Sequence, residues 1–164
     1  MLEARSPLSA SPSFEVEGLT LREEADFTLT QYAGTPRIMK RELEVEALFG
    51  TAEKHGGRTF LRTGENQIWV LGKPLEAQGC YATPLSSSRS CIAIQGPKAR
   101  ALLVACAPID FSTGAFTTHH YAMTGIHHTP VLIHCIGPDS FHLYAMRSFA
   151  LTVWEWLVDA AKVL

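Results

Sequence analysis

Six of the seven histidines of this 164-residue chain fall between His119 and His142, with two adjacent pairs at His119-His120 and His127-His128. Such crowding invites a metal reading, and strand geometry argues against it. Neighbours on a strand point to opposite faces, so each pair offers one ligand to any common site. The runs TTHHYAMT and TPVLIHCI read as strands joined by a turn at Gly125-Ile126. That turn sets His119 and His120 against positions 131 and 132, away from the second pair. No HExxH and no Cys/His zinc spacing occurs, so no metal ligand is assigned.

The other reactive residue types are equally unpoised. Cys80, Cys91, Cys106 and Cys135 form no Cys-x-x-Cys pair, and three of them sit in apolar stretches where a thiol acts as a small hydrophobe. The serines from Ser86 to Ser90 lie in a segment without a G-x-S-x-G turn. Gly96-Pro97 precedes a helix but belongs to no G-x-G-x-x-G or phosphate-binding loop, so it reads as a strand-to-helix turn. Asp110 reads as a loop carboxylate capping a turn. Arg147 either pairs with a partner's acid or binds a local carboxylate or carbonyl. No catalytic and no cofactor-binding residue is assigned.

The elements that carry these residues follow from pattern and punctuation. Residues 1–13 hold two prolines and four serines with few large apolar groups, which predicts a mobile tail or an arm ordered only on a partner. FTLTQY from Phe27 to Tyr32 alternates like a strand. Thr35 and Pro36 then read as N-cap and first helical position, and Gly50 as the stop, of a helix through RIMKRELEVEALF. TFLRT and QIWVLG form a hairpin about Gly64-Glu65-Asn66. Residues 73–90, with Pro, Gly and three consecutive serines, read as a linker. A strand over Ser90–Gly96, the helix KARALLVACA and three strand-like runs then repeat the earlier order. The expectation is an α+β fold with two helix-on-antiparallel-sheet subdomains, 14–80 and 81–164.

The last segment, FALTVWEWLVDAAKVL after an N-cap at Ser148, is a helix with no internal Pro or Gly. At about 100° per residue, Phe149, Val153, Trp156, Leu157, Ala160 and Leu164 share one face. Ala150, Leu151, Trp154, Val158 and Ala161 widen that arc until only Thr152, Glu155, Asp159 and Lys162 are polar. Two readings follow. Either a sheet and a loop of this chain cover both sides, or a second protein covers part of the arc, touching Leu151, Trp154 and Val158.

Composition narrows the partners. Lys plus Arg number 14 against 16 Asp plus Glu, leaving no basic field for nucleic acid or anionic lipid. No apolar run reaches the roughly 18 residues of a membrane span, and the amino terminus lacks a basic segment before an apolar one. The chain reads as cytoplasmic. Charged residues make up only 18% of it, which leaves surface suited to a protein partner.

The succession SRSCIAIQGPKARALL, Pro108-Ile109-Asp110 and GPDSFHLYAMRSFALTVWEWL resembles the gamma subunit of heterotetrameric sarcosine oxidase. Its most specific piece is RSFA followed by W-x-W-L, from Arg147 to Leu157. The resemblance implies a fold like the folate-binding region of glycine-cleavage T-protein. It implies a structural subunit, without catalytic residues of its own, in a complex that oxidatively demethylates sarcosine or a related secondary N-methyl amine. The released carbon would pass to tetrahydrofolate or leave as formaldehyde. FAD, FMN, NAD, zinc and tetrahydrofolate would sit on other subunits, with the large alpha subunit as main partner beside beta and delta. A rival reading is a stand-alone folate-binding or aminomethyltransferase-like protein, in which Asp110 would hydrogen-bond a pterin.

Overall fold

The computed structural model describes residues 6–8 and 12–164. Eleven strands and three α-helices among them form two antiparallel sheets stacked face to face, with helices on both outer surfaces. The strands are β1 (Ser13–Val16), β2 (Leu19–Glu24), β3 (Leu29–Ala33), β4 (Glu53–His55), β5 (Arg58–Gly64), β6 (Gln67–Leu71), β7 (Tyr81–Pro84), β8 (Arg89–Gln95), β9 (Tyr121–Ile126), β10 (Thr129–Gly137) and β11 (Ser140–Met146). The helices are α1 (Pro36–Leu43), α2 (Ala99–Cys106) and α3 (Ala150–Ala161).

The repeat legible in the sequence is a repeat of topology. One unit runs β3, α1, β4, β5, β6 and pairs its strands in the order β4-β5-β6-β3. The other runs β8, α2, β9, β10, β11 and pairs them as β9-β10-β11-β8. Each unit receives an edge from across the expected boundary at 80/81. Strands β1 and β2 extend the second sheet through β2 and β8, whereas β7 adds to the first sheet beside β3. The two expected subdomains are therefore interlocked, because each sheet completes itself with a strand from the other stretch. The segment 73–90 supplies β7 and a 3-10 turn at Ser86–Ser88 rather than a bare linker.

Strand alternation fixes what each layer buries. In β10, Val131, Ile133 and Cys135 face α2 and α3, while Leu132 looks toward the other sheet. In β11, Phe141, Leu143 and Ala145 take the helix side and Tyr144 the sheet side. The outer face of the smaller sheet, with Tyr32, Phe60, Ile68 and Val70, is closed by Met39 and Leu43 of α1. Tyr32 is 1% exposed, and its hydroxyl donates to the Leu75 carbonyl at 2.7 Å and accepts from the Leu75 amide at 2.8 Å. Tyr32→Phe should cost about 1–2 kcal/mol in a urea unfolding series, since both backbone groups lose a buried partner.

Several local expectations shift. Thr35 does cap α1, its hydroxyl accepting from the Ile38 amide at 3.4 Å, with Pro36 at the first turn. The helix ends at Leu43, with Glu44 in the left-handed region at φ 55°, seven residues before Gly50. Beyond it the Glu53 carboxylate accepts from the amides of Glu46 and Ala47, while Val45 and Ala47 are buried. Those hydrogen bonds and that burial replace further helical turns. The final helix is preceded by a 3-10 turn at Arg147–Phe149, and no side chain caps it, so Ser148 is not its N-cap. Of the expected tail, residues 1–5 and 9–11 lie outside the described residues. Leu8, 3% exposed, packs in the helix-side core, and Ser13 opens β1, so neither belongs to a mobile arm.

No helix among the described residues is long and apolar enough to cross a membrane.

Candidate functional site

The two sheets meet over a shared apolar cluster that includes Leu29, Leu61, Trp69, Leu132 and Tyr144. Tyr144 makes edge contacts with Phe27 and Trp69 at ring distances of 5.8 and 6.5 Å. Beside this cluster the sheets part into a cleft of about 760 Å³. Register explains what lines it. On the larger sheet, Arg22, Ala93, His142 and His134 lie in one cross-strand row, and Glu24, Cys91, Tyr144 and Leu132 in the next row on the same face. On the smaller sheet, Lys54, Thr59 and Leu71 form the matching row. The cleft is lined by His134, His142 and Tyr144 from one sheet and by Lys54, Thr59 and Leu71 from the other, with Glu24, Asp26 and Lys73 also on its walls.

His134 is its most demanding residue. It is 3% exposed, and both ring nitrogens are without a hydrogen-bond partner in the chain. Burial pushes its pKa down to about 4, helped by the nearby positive charge that His142, His119 and Lys54 can carry, so the ring is neutral at pH 7. His142, directly opposite on β11, is also lowered by burial, with Glu24 opposing and Arg22 reinforcing the shift. Its Nδ1 lies 3.4 Å from the Tyr144 hydroxyl. Burial raises the Tyr144 hydroxyl well above its ordinary range and lifts the Cys91 thiol to about 12, which keeps both protonated.

The residues weighed from sequence distribute differently. His127 and His128 are themselves the β9–β10 turn, both at positive φ (44° and 67°), as a two-residue hairpin loop requires. The turn thus lies two residues beyond Gly125-Ile126, and His134 pairs with Tyr121. His127 packs against Trp156, with ring centroids 4.5 Å apart and planes tilted by 44°. His120 Nδ1 lies within hydrogen-bonding distance of the Thr117 amide and the Ala115 carbonyl in its own loop. Among the described residues, no three His, Cys, Asp or Glu side chains are grouped to hold a metal ion. All four cysteines are free thiols. Asp110 accepts from the Ser112 amide at 2.9 Å, a local turn contact that also lowers its pKa. Ser86 accepts from the Leu29 amide, which fixes the entry to β3.

On α3 the proposed contact residues separate. Trp154 is only 8% exposed and packs in the helix-side core, so it is a core residue of this chain rather than a free contact. Val158 is half-buried against the same core, and Leu151 is 46% exposed. Phe149, expected on the core face, is 44% exposed because the 3-10 turn rotates it off the helical wheel. The predicted inventory missed His134 and His142. Their signal was a polar residue between apolar neighbours two positions away, Leu132 and Ile136 in one strand and Tyr144 in the other.

Comparison with known proteins places this arrangement. The gamma subunit of sarcosine oxidase from Corynebacterium sp. (strain U-96) is 30% identical over 76 residues, which is 46% of this chain and 37% of that protein's length. The solved heterotetrameric sarcosine oxidase from Corynebacterium sp. U-96, in complex with pyrrole 2-carboxylate, contains a chain that superposes with a TM-score of 0.78 at 22% identity. That match covers 95% of this chain and 93% of the other. The resemblance read in the sequence is thus met by a curated relative of the same name and by a shared fold. The model of the GCVT N-terminal domain matches residues 59–164, well over half of the sequence, and the chain belongs to that family.

Proposed function

We propose that this chain is the gamma-type structural subunit of a heterotetrameric complex resembling sarcosine oxidase, one that oxidatively demethylates sarcosine or a related secondary N-methyl amine. The observation that carries the reading is the fold match over 95% of the chain to a protein solved within such a heterotetramer. The chain presents Met146, Phe149 and Leu151, 42%, 44% and 46% exposed, around the start of α3, an apolar cluster suited to a protein partner. In this reading a large alpha subunit covers that cluster, beta and delta complete the assembly, and FAD, FMN, NAD, zinc and tetrahydrofolate are held by those subunits. The amine carbon passes to tetrahydrofolate or leaves as formaldehyde, with no catalytic group supplied from this chain. Burial lifts the Cys91 thiol to about 12 and so keeps it protonated and un-nucleophilic at neutral pH, which supports a non-catalytic role.

The test is co-expression of the tagged chain with the large flavin-dependent subunit of such a complex. Stoichiometric co-purification is the expected result. Leu151→Glu should reduce recovery of the large subunit about tenfold while leaving the circular dichroism and melting temperature of the chain unchanged. A chain that stays monomeric beside every such subunit, or that binds tetrahydrofolate by itself with micromolar affinity, would overturn the proposal.

A further inference from the structure

We propose that the cleft between the two sheets, walled by His134, His142, Tyr144, Thr59 and Lys54, is a binding site for a small organic carboxylate with an apolar body. A volume of about 760 Å³ falls within the range of sites that enclose small molecules. His134, 3% exposed, lines this cleft with a ring whose two nitrogens find no partner in the chain. An uncompensated buried ring of this kind is costly to the fold unless something else meets it. A neutral imidazole offers one N–H donor, and a carboxylate oxygen is its strongest uncharged-ring complement.

The charges on the walls select the sign of the ligand. Glu24 is already engaged by Arg22 at 3.3 Å, whereas Asp26, exposed like the two lysines on the walls, forms no ion pair among the described residues. Lys54 and Lys73 form no ion pair among the described residues either, so two ammonium groups stand against the one carboxylate of Asp26 and leave an excess of positive charge to act on a guest. Lys54 lies close enough to act electrostatically on His134, which brings an ammonium and a ring N–H to bear on the same region. Phe27, Leu71, Ile136 and the Tyr144 ring supply the apolar surface for the remainder of the molecule. A phosphate dianion would demand more donors than one ring N–H and two ammonium groups, and would gain nothing from those apolar walls.

Equilibrium dialysis with radiolabelled benzoate at pH 7.5 tests it, on the full chain or on the complex purified with it. Saturable one-site binding is expected. Lys54→Met, a change at an exposed strand position, and His134→Phe should each weaken it about tenfold. Unlabelled benzamide and inorganic phosphate should not displace the label. Benzoate binding that is absent, that both variants leave unchanged, or that benzamide displaces equally well would overturn the site. Displacement by phosphate at equal concentration would overturn the carboxylate assignment. In a complex, the difference between wild type and variants assigns the bound label to this chain, so a negative result here leaves the subunit reading standing.

Discussion

Gly96→Ala is expected to remove about 3 kcal/mol or more of folding stability, the largest effect of any Gly→Ala change in this chain. Gly96 sits at φ +118°, outside the region a side chain tolerates, at the point where β8 hands over to α2. A Cβ there would come within 2.5 Å of the Gly18 carbonyl oxygen and 3.0 Å of its carbon, both backbone atoms that no rotamer change can move. Two hydrogen bonds lock the same corner. The Gly96 amide donates to the Asp139 carbonyl and the Lys98 amide donates to the Gly18 carbonyl, each at 3.0 Å. Relieving the clash therefore pulls the β1–β2 turn off the sheet it completes and exposes Leu19 and Leu21, which are 2% and 0% exposed. Urea denaturation should show the loss as an earlier midpoint. A midpoint shift worth under about 1 kcal/mol would show that the corner adapts and that the close approach does not hold the edge strands.

How much of this was legible in the sequence follows from which interactions are local. The β5–β6 hairpin, the strand-Gly-Pro-helix step at Ser90 to Cys106, and the Thr35 cap are set by residues within a few positions of one another, and pattern reading places them well. The exchange of β2 and β7 between sheets is not local. It depends on Thr20 pairing with Gln95 and on Tyr32 pairing with Ala82, contacts whose sequence separation leaves no periodic trace. The same holds for Arg100. It donates to the Phe111 and Phe116 carbonyls at 2.6 and 2.9 Å and to the Pro138 carbonyl at 2.6 Å, and so ties the loop before β9 to the β10–β11 turn. In the sequence it is one cation on a helix. The hairpin at His127-His128 misled for a different reason, because a glycine two residues earlier offered the cheaper turn and the register of the buried faces overruled it. The candidate cleft was hidden because its two walls come from β4–β6 and β10–β11, and only the stacking of the sheets brings Lys54 to His134.

His134 also makes the fold sensitive to acid in a calculable window. Its folded-state pKa, about 4, lies below the ordinary value of 6.5. In the unfolded chain the ring takes up a proton as pH drops through 6.5, whereas in the folded chain burial holds it neutral until about pH 4. The unfolded state therefore binds more protons throughout that interval, and stability falls with falling pH. Above pH 6.5 the contribution is fully present. By pH 4 the loss amounts to about 3 kcal/mol from this one group, from a difference of about 1.4 kcal/mol per pKa unit. The groups facing it act in opposed directions. Lys54, His119 and His142 disfavour its charging, and Glu24 acts on the neighbouring His142 to favour the charged form there. Carboxylates elsewhere also protonate in acid, so the wild-type slope alone does not isolate the histidine. His134→Phe does, since it keeps an aromatic ring between Leu132 and Ile136 and removes the titration. Between pH 7.5 and pH 4 the wild type should lose about 3 kcal/mol more unfolding free energy than the variant, measured by denaturant titration at each pH. Parallel loss in the two proteins would mean that water or a rearranged side chain reaches the ring in the folded state. In that case the cleft would hold a solvated imidazole, and the burial that keeps His134 neutral would not survive in solution.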